Sequence, residues 1–418
     1  MEHPDSFKRR DLSTALAERA TSLALVIADA GWFTTENLFR EIDDESVSLL
    51  MLKCLDYVNG VGRGIYPWSA VCRTRRDGPR VWHRQHVLPS GWMKRFPRFG
   101  MRPIARSVDR WRASLPAAAR TGLVMTYPYY LYLRDLLRPD VSVYYNVDDY
   151  ALYWPRDAER TARLELKAVR ESDLTICVSR SRASELRAMV PEAADRVHHV
   201  AHGAPSQFLA DRPLDQPASP PADLAALPRP LIGYVGSLED RVDWRLMDQL
   251  AVRFPAASFV VVGRKSPPGG EPWRADCERF LARSNVHAIG WRSQEELPGY
   301  WQAFDVNLIP YGVDHPFNRA CNPTKIMDAM AASRPIVATA IPECLLHRER
   351  FDVAETAHDF ISAVARILDS GSDDGRAAAR LDYAAEHTCR RVVERILALI
   401  AQVGRFPEPR ERGDGRSQ

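Results

Sequence analysis

At 418 residues, 45% hydrophobic and 27% charged, the chain has room for two ordinary globular domains and the composition to bury a core in each. A formal net charge of +3, from 57 basic and 54 acidic residues, gives no ground for a nucleic-acid binder. The seven cysteines, at 54, 72, 177, 277, 321, 344 and 389, form no CxxC pair and no zinc-type spacing, which excludes a zinc module and fits a reduced, cytosolic setting.

Residues 1 to about 20 are polar and expected to be disordered. The first long apolar run, Leu23 to Ala28, is too short to span a membrane, and the mixed charge before it is unlike a signal peptide, so neither a spanning helix nor secretion is expected. In GVGRGI (60–65), Ile65 stands where a dinucleotide fingerprint needs glycine, which argues against a nicotinamide dehydrogenase. The stretch 91–112 holds Lys94, Arg95, Arg98, Arg102, Arg106, Arg110 and Arg112 against one acid, Asp109. Past Pro103, Ile104, Val108, Trp111 and Leu115 form an apolar stripe, and Arg102, Arg106 and Arg110 a basic row at helical spacing. Two readings stand: a face for anionic lipid headgroups or an anionic acceptor, or a solvated helix packed on the core.

Strands are predicted at 121–127, 141–147 and 173–179, with helices at 156–171 and 181–190. YYNVDDY (144–150) ends the second of these strands with Asp148 and Asp149. Such a carboxylate can accept the proton of an attacking hydroxyl, or it can cap the following turn; neighbours on a strand point to opposite faces, so one of the two is expected to serve. The proline density of 211–230 forbids a helix or central strand and marks a linker. From Leu231 onward, strands at 231–236, 258–263, 285–290, 306–311 and 335–339 alternate with helices such as 245–254, 275–284 and 323–333.

The expected fold is α/β, with two Rossmann-like doubly wound domains facing each other across a cleft. We divide the chain into 1–210, the linker 211–230, a second domain 231–385, a C-terminal helix 386–406 packing back on the first domain, and a disordered tail 407–418.

In CNPTKIMDAMAASRPIVAT (321–339), Asn322 and Pro323 are read as N-cap and first helical residue. Lys325 then stands in a first turn whose dipole disfavours a cation. With Asp328 three residues on, it shares a face beside free amides, an arrangement suited to a phosphorylated ligand; a surface lysine lying over a core helix is the competing reading. A second anion site is read at GYVGSLEDR, where Gly236 lets amides approach phosphate and Arg241 can reach it, although every βα turn of such a sheet offers something similar. Arg264 and Trp291 stand at two further strand ends, placed to line a base pocket.

The run IGYVGSLEDRVDW, FVVVG, VHAIGW, ELPGYWQAFDVNLIPY, NPTKIMDAMAASRPIVAT resembles the nucleotide-binding half of group 1 glycosyltransferases of GT-B fold. The bacterial cell-surface polysaccharide branch is most similar, and the earlier YYNVDDYALYWP and ESDLTICVSRSRASEL also look like that family. The match covers about 121 to 403. The resemblance implies transfer of a sugar from a UDP- or GDP-linked donor to a hydroxyl of a lipid-linked or polysaccharide acceptor, with no metal and no further cofactor. Lys325, Asn322 and the Gly236–Ser237 turn would take the diphosphate with Arg241, Asp328 the ribose, and Arg264 and Trp291 the base. Asp148 and Asp149 fall where the family often carries a catalytic His or Asp. The chain departs from the family at Ala320 and Asp328, where retaining members carry a Glu-x7-Glu pair, and at Ser237, usually Arg. A cytosolic enzyme, peripheral on the inner face of a membrane through 91–112, is the expectation. The rivals are a nucleotide-sugar epimerase of the same architecture and a degenerate nucleotide-sugar-binding assembly protein.

Overall fold

The computed structural model describes residues 22–31, 33–58, 73–117, 119–209, 220–266 and 269–404. Both expected disordered ends, the GVGRGI stretch, Cys72 and the 211–219 part of the linker lie outside these residues. Within them the chain forms two parallel sheets wrapped by helices.

The first sheet has the order β3-β4-β2-β1-β5-β6-β7-β8. Its strands are β1 (Leu23–Ala28), β2 (Val47–Asp56), β3 (Thr74–Arg76), β4 (Val81–Leu88), β5 (Arg120–Met125), β6 (Val141–Asn146), β7 (Leu174–Cys177) and β8 (Val197–His199). All pair in parallel except β3, which runs antiparallel along the edge on β4. The second sheet, β11-β10-β9-β12-β13-β14, is wholly parallel. It comprises β9 (Leu231–Val235), β10 (Ser258–Val262), β11 (Val286–Gly290), β12 (Val306–Ile309), β13 (Ile336–Thr339) and β14 (Asp352–Ala354). Helices cover both faces, so central strands such as LALVIA, LIGYV and SFVVV are apolar along their whole length. Gly233 in β9 is required by packing: a Cβ there would lie 1.9 Å from the Phe304 ring.

Every strand foreseen from residue 121 onward is present, most of them a residue or two shorter. The four strands before residue 121 were not foreseen. β4, VWHRQHVL, carries polar residues on a half-covered flank of the sheet, and β3, TRR, is an exposed edge strand. Such strands are specified by their neighbours more than by their own pattern.

In each sheet the strand order reverses beside its first strand, between β1 and β5 and between β9 and β12. Ligand crevices form at the carboxyl ends of strands at such points. The two sets of carboxyl ends meet. Asn322 Nδ2, beyond β12, donates to the Val178 carbonyl beyond β7 at 2.9 Å, and Ser181 Oγ donates to the Arg319 carbonyl at 3.1 Å. Tyr153, beyond β6, packs edge-on against Phe317 with centroids 4.8 Å apart. The last helix, Cys389–Val403, returns to the first sheet and buries Val393, Ile396 and Ile400 in a cluster with β1, β6 and β7.

Candidate active site

Directly after β9 comes Gly236, whose φ of 153° suits glycine alone. Against this turn lies Lys325, the first residue of the helix Lys325–Ala331. Its ammonium is buried, donates to the Tyr234 hydroxyl at 3.3 Å, and stands 4.5 and 4.4 Å from the ring centroids of Tyr234 and Tyr311. Burial, reinforced by repulsion from Arg241, brings its pKa down to about 7. Lys325 is therefore no surface lysine: an ammonium is held inside the cleft against aromatic faces and, among the described residues, forms no ion pair with a carboxylate.

Arg241 is drawn into the same place. Its guanidinium stacks on Phe317 at 4.3 Å and lies 5.0 Å from the Tyr311 centroid, and its Nε donates to Asn318 Oδ1 at 3.0 Å. The Asn318 amide in turn holds the carbonyls of Arg241 and Gly312, each at 2.9 Å, which fixes the loop after β9 to the loop after β12. Ser237 is exposed at the open side of the turn.

The adjacent carboxylates after β6 divide their work. Asp149 accepts from the Ala151 amide at 3.0 Å as the N-cap of Tyr150–Tyr153 and lies 3.8 Å from Arg182, so it serves the frame. Asp148 faces the second domain. The Tyr153 hydroxyl donates to its Oδ2 at 2.9 Å, and burial raises its pKa to about 6 although Tyr153 and Arg241 oppose the rise. The turn itself is pinned from below: Asn146 Nδ2 donates to the Asp148 carbonyl at 2.9 Å and to Glu165 at 2.7 Å, and Glu165 pairs with Arg182.

Asp328 lines a cavity with Thr34 and Asn37 of the first domain, His202, Gln294 and Cys389. Burial lifts its carboxyl to about 7, with Lys325 opposing, and lowers His202 to about 4. At the carboxyl ends of β10 and β11, the Arg264 guanidinium lies 4.8 Å over the ring of Trp291, which is 56% exposed.

One expectation fails in detail. Asn322 is not the N-cap: Thr324 holds that position and the helix begins at Lys325, while the Asn322 Nδ2 donates to the Val178 carbonyl across the domain boundary. The amides of Ile326, Met327 and Asp328 are already taken by the carbonyls of Pro323 and Thr324, at 3.1, 3.0 and 3.2 Å, so this turn has fewer free donors than an open helix end.

The structure thus brings Gly236, Arg241 and Lys325 together opposite Asp148, pairs Arg264 with Trp291 on a neighbouring rim, and places Asp149 and Asn322 in the scaffold. Sequence reasoning missed Tyr153, Tyr311 and Phe317. Tyr311 could have been found as the residue closing the strand-like run VNLIPY, whereas Tyr153 and Phe317 matter through a contact made only when the domains meet. In the 91–112 stretch, the helix Pro97–Arg112 buries Ile104, Val108 and Trp111 and leaves Arg102, Arg106 and Arg110 exposed. Among the described residues no helix is long and apolar enough to cross a membrane, and no three His, Cys, Asp or Glu side chains are grouped to hold a metal ion.

Residues 229–370 match the family model described as glycosyl transferases group 1. A putative teichuronic acid biosynthesis glycosyltransferase, TuaH, of Bacillus subtilis (strain 168) is 23% identical over 214 residues, 50% of this chain and 52% of that protein. The match thus spans about half the length of that relative. Among solved structures, sucrose-phosphate synthase from Thermosynechococcus elongatus superposes with a TM-score of 0.66 at 15% identity, covering 91% of this chain and 99% of its own. Anabaena HepE in complex with UDP and glucose gives 0.60 at 11%, covering 90% and 98%. The α,α-trehalose 6-phosphate synthase from Burkholderia multivorans gives 0.62 at 12%, covering 92% and 99%. The fold is that of the GT-B glycosyltransferases, as the sequence resemblance implied.

Proposed function

We propose that this chain, whose second domain carries the group 1 glycosyl transferase signature, moves a sugar from a nucleotide diphosphate donor to an acceptor hydroxyl in surface-polysaccharide or glycoconjugate assembly, on the cytoplasmic face. The observation that carries the reading is the buried Lys325 ammonium packed on the Gly236 turn with Arg241 beside it and Asp148 opposite.

In this reading the donor diphosphate lies against Lys325, Arg241 and the Gly236–Ser237 turn. The ribose reaches Asp328, and a uracil or guanine base lies on the Arg264–Trp291 pair. HepE, whose structure holds UDP and glucose, supports a uridine donor. The acceptor oxygen forms its bond to the anomeric carbon, the bond from that carbon to the diphosphate oxygen breaks, and its electron pair leaves with the diphosphate. Asp148, ionised at neutral pH, takes the hydroxyl proton. Negative charge grows on the diphosphate as the bond breaks, so two fixed cations stabilise the transition state more than the ground state. That is the use of a cation in a helix turn that otherwise disfavours one.

Lys325→Ala tests the assignment. Donor turnover with UDP- and GDP-sugars should fall roughly 10²- to 10³-fold with the melting temperature held. Full turnover in that variant would refute the role given to Lys325.

A further inference from the structure

Two aromatic side chains are more exposed than any other large hydrophobic residue described: Phe99 at 73% and Phe96 at 67%. They are three residues apart, at the junction where the short helix Trp92–Arg95 passes into Pro97–Arg112. Around them Arg95, Arg98, Arg102 and Arg106 are all exposed. Phe99, Arg102 and Arg106 follow at i, i+3 and i+7 along one helix face, while Met101, Ile104, Ala105, Val108 and Trp111 bury the other. The single acid of the stretch, Asp109, lies 3.7 Å from Arg112. Among the described residues Arg95, Arg98, Arg102 and Arg106 enter no ion pair. The face therefore combines two projecting aromatic rings with four uncompensated guanidinium groups.

We propose that this face docks the protein on an anionic lipid bilayer, with Phe96 and Phe99 entering the acyl boundary and Arg95, Arg98, Arg102 and Arg106 resting on the headgroups. Charge complementarity selects the occupant. A protein partner would have to supply at least four carboxylates around an apolar pocket, whereas an anionic leaflet presents negative headgroups above an apolar layer everywhere. Helix packing accounts for the buried side of Pro97–Arg112 but not for phenylalanines aimed at water.

The face also adjoins the cleft. Lys94, between Trp92 and Arg95, lies 4.3 Å over the Trp154 ring and pairs with Asp157 at 2.7 Å. Trp154 follows Tyr153, the residue bonded to Asp148. A bilayer at Phe96 and Phe99 thus borders the side from which an acceptor reaches Asp148, and a lipid-linked acceptor would arrive without leaving the membrane. Only this last step rests on the transfer reading; docking itself requires no donor.

The test is co-sedimentation, without nucleotide, with vesicles of equal parts phosphatidylglycerol and phosphatidylcholine and with phosphatidylcholine alone. The parent should bind the anionic vesicles and lose binding as salt rises. Phe96→Ser with Phe99→Ser, and separately Arg98→Glu with Arg102→Glu, should each weaken binding about tenfold or more while the melting temperature stays within a few degrees of the parent's. Equal binding by parent and both variants, or no binding by the parent, overturns the proposal. So does self-association of the parent through this face, dispersed by the phenylalanine changes, without vesicle binding. Lys325→Ala should bind vesicles like the parent, so a failed transfer assay and a failed docking assay are told apart.

Discussion

Lys325 and Gly236 occupy space that admits no carbon between them: a Cβ on Gly236 would come within 2.6 Å of the Lys325 ammonium. It would also come within 2.9 Å of the Tyr234 hydroxyl that holds the ammonium. Gly236→Ala should therefore act on the ligand site more than on the fold. The displaced atom is the far end of a flexible side chain, and the φ of 153° adds strain of about 1–3 kcal/mol. We expect a modest fall in melting temperature and a loss of nucleoside diphosphate affinity of roughly tenfold or more, read by calorimetry. Parent-like affinity in this variant would show that the turn and the ammonium do not form one site.

On the proposed reading, the same ammonium makes donor binding proton-linked. Without ligand its pKa is about 7, so above that pH much of it is neutral. A bound diphosphate favours the charged form and raises the pKa, so binding at pH 8 takes up a proton and affinity falls as pH rises. Calorimetry at pH 8 in two buffers of different ionisation enthalpy should report uptake approaching one proton per UDP or GDP bound. The uptake should disappear in Lys325→Met. Zero uptake in the parent would mean that Lys325 is already charged or does not meet the ligand.

What the sequence disclosed and what it withheld follow from local and non-local causes. The second sheet was legible because β9, β10, β12 and β13 are buried on both faces, which forces apolar runs that repeat at βα spacing. β3 and β4 were not, since their pairing rather than their composition makes them strands. Lys325, Arg241 and Gly236 could be named because Lys325 opens a helix and Gly236 and Arg241 lie in the turn that follows β9. The separation of Asp148 from Asp149 could only be posed, as it depends on Arg182, Glu165 and Tyr153, which the fold gathers from three elements. Asn322 shows the opposite error: a side chain with good capping chemistry stands two residues before the cap position, Thr324, and bonds across to the other domain.

Asp148 and Tyr153 predict a pH profile. A base with a pKa of about 6 is protonated as pH falls through that value, so kcat/KM should drop on the acid side of about pH 6. The Tyr153 hydrogen bond favours the carboxylate, and Tyr153→Phe removes it, so the acid limb should move to higher pH. Asp148→Asn should lower turnover roughly 10²- to 10⁴-fold. Its effect on stability has the opposite sign. A carboxyl whose folded pKa lies above the unfolded value of about 3.9 loses stability as pH rises from about 4 through 6, so at pH 7 the amide should match or exceed the parent's melting temperature. An unmoved acid limb in Tyr153→Phe would remove Asp148 as the titrating base.

Glu343 joins the domains from the other side of the cleft. Its carboxylate is 2% exposed and accepts from the Arg180 amide at the start of the helix Arg180–Met189, with Ser179 and the Ser181 amide also bonded to it. A carboxylate at a helix N-terminus satisfies orphan amides and meets the positive end of the dipole. Here helix and carboxylate belong to different domains, so the bond ties one to the other. Glu343→Ala leaves those amides without this partner at a cost of roughly 1–3 kcal/mol, part of which is relieved if the domains part and water reaches them. The variant should show a larger radius of gyration by small-angle scattering and a higher KM for donor. Glu343→Gln, which keeps an acceptor oxygen, should lie between it and the parent. Scattering curves that coincide for parent and Glu343→Ala would show that closure does not depend on this contact.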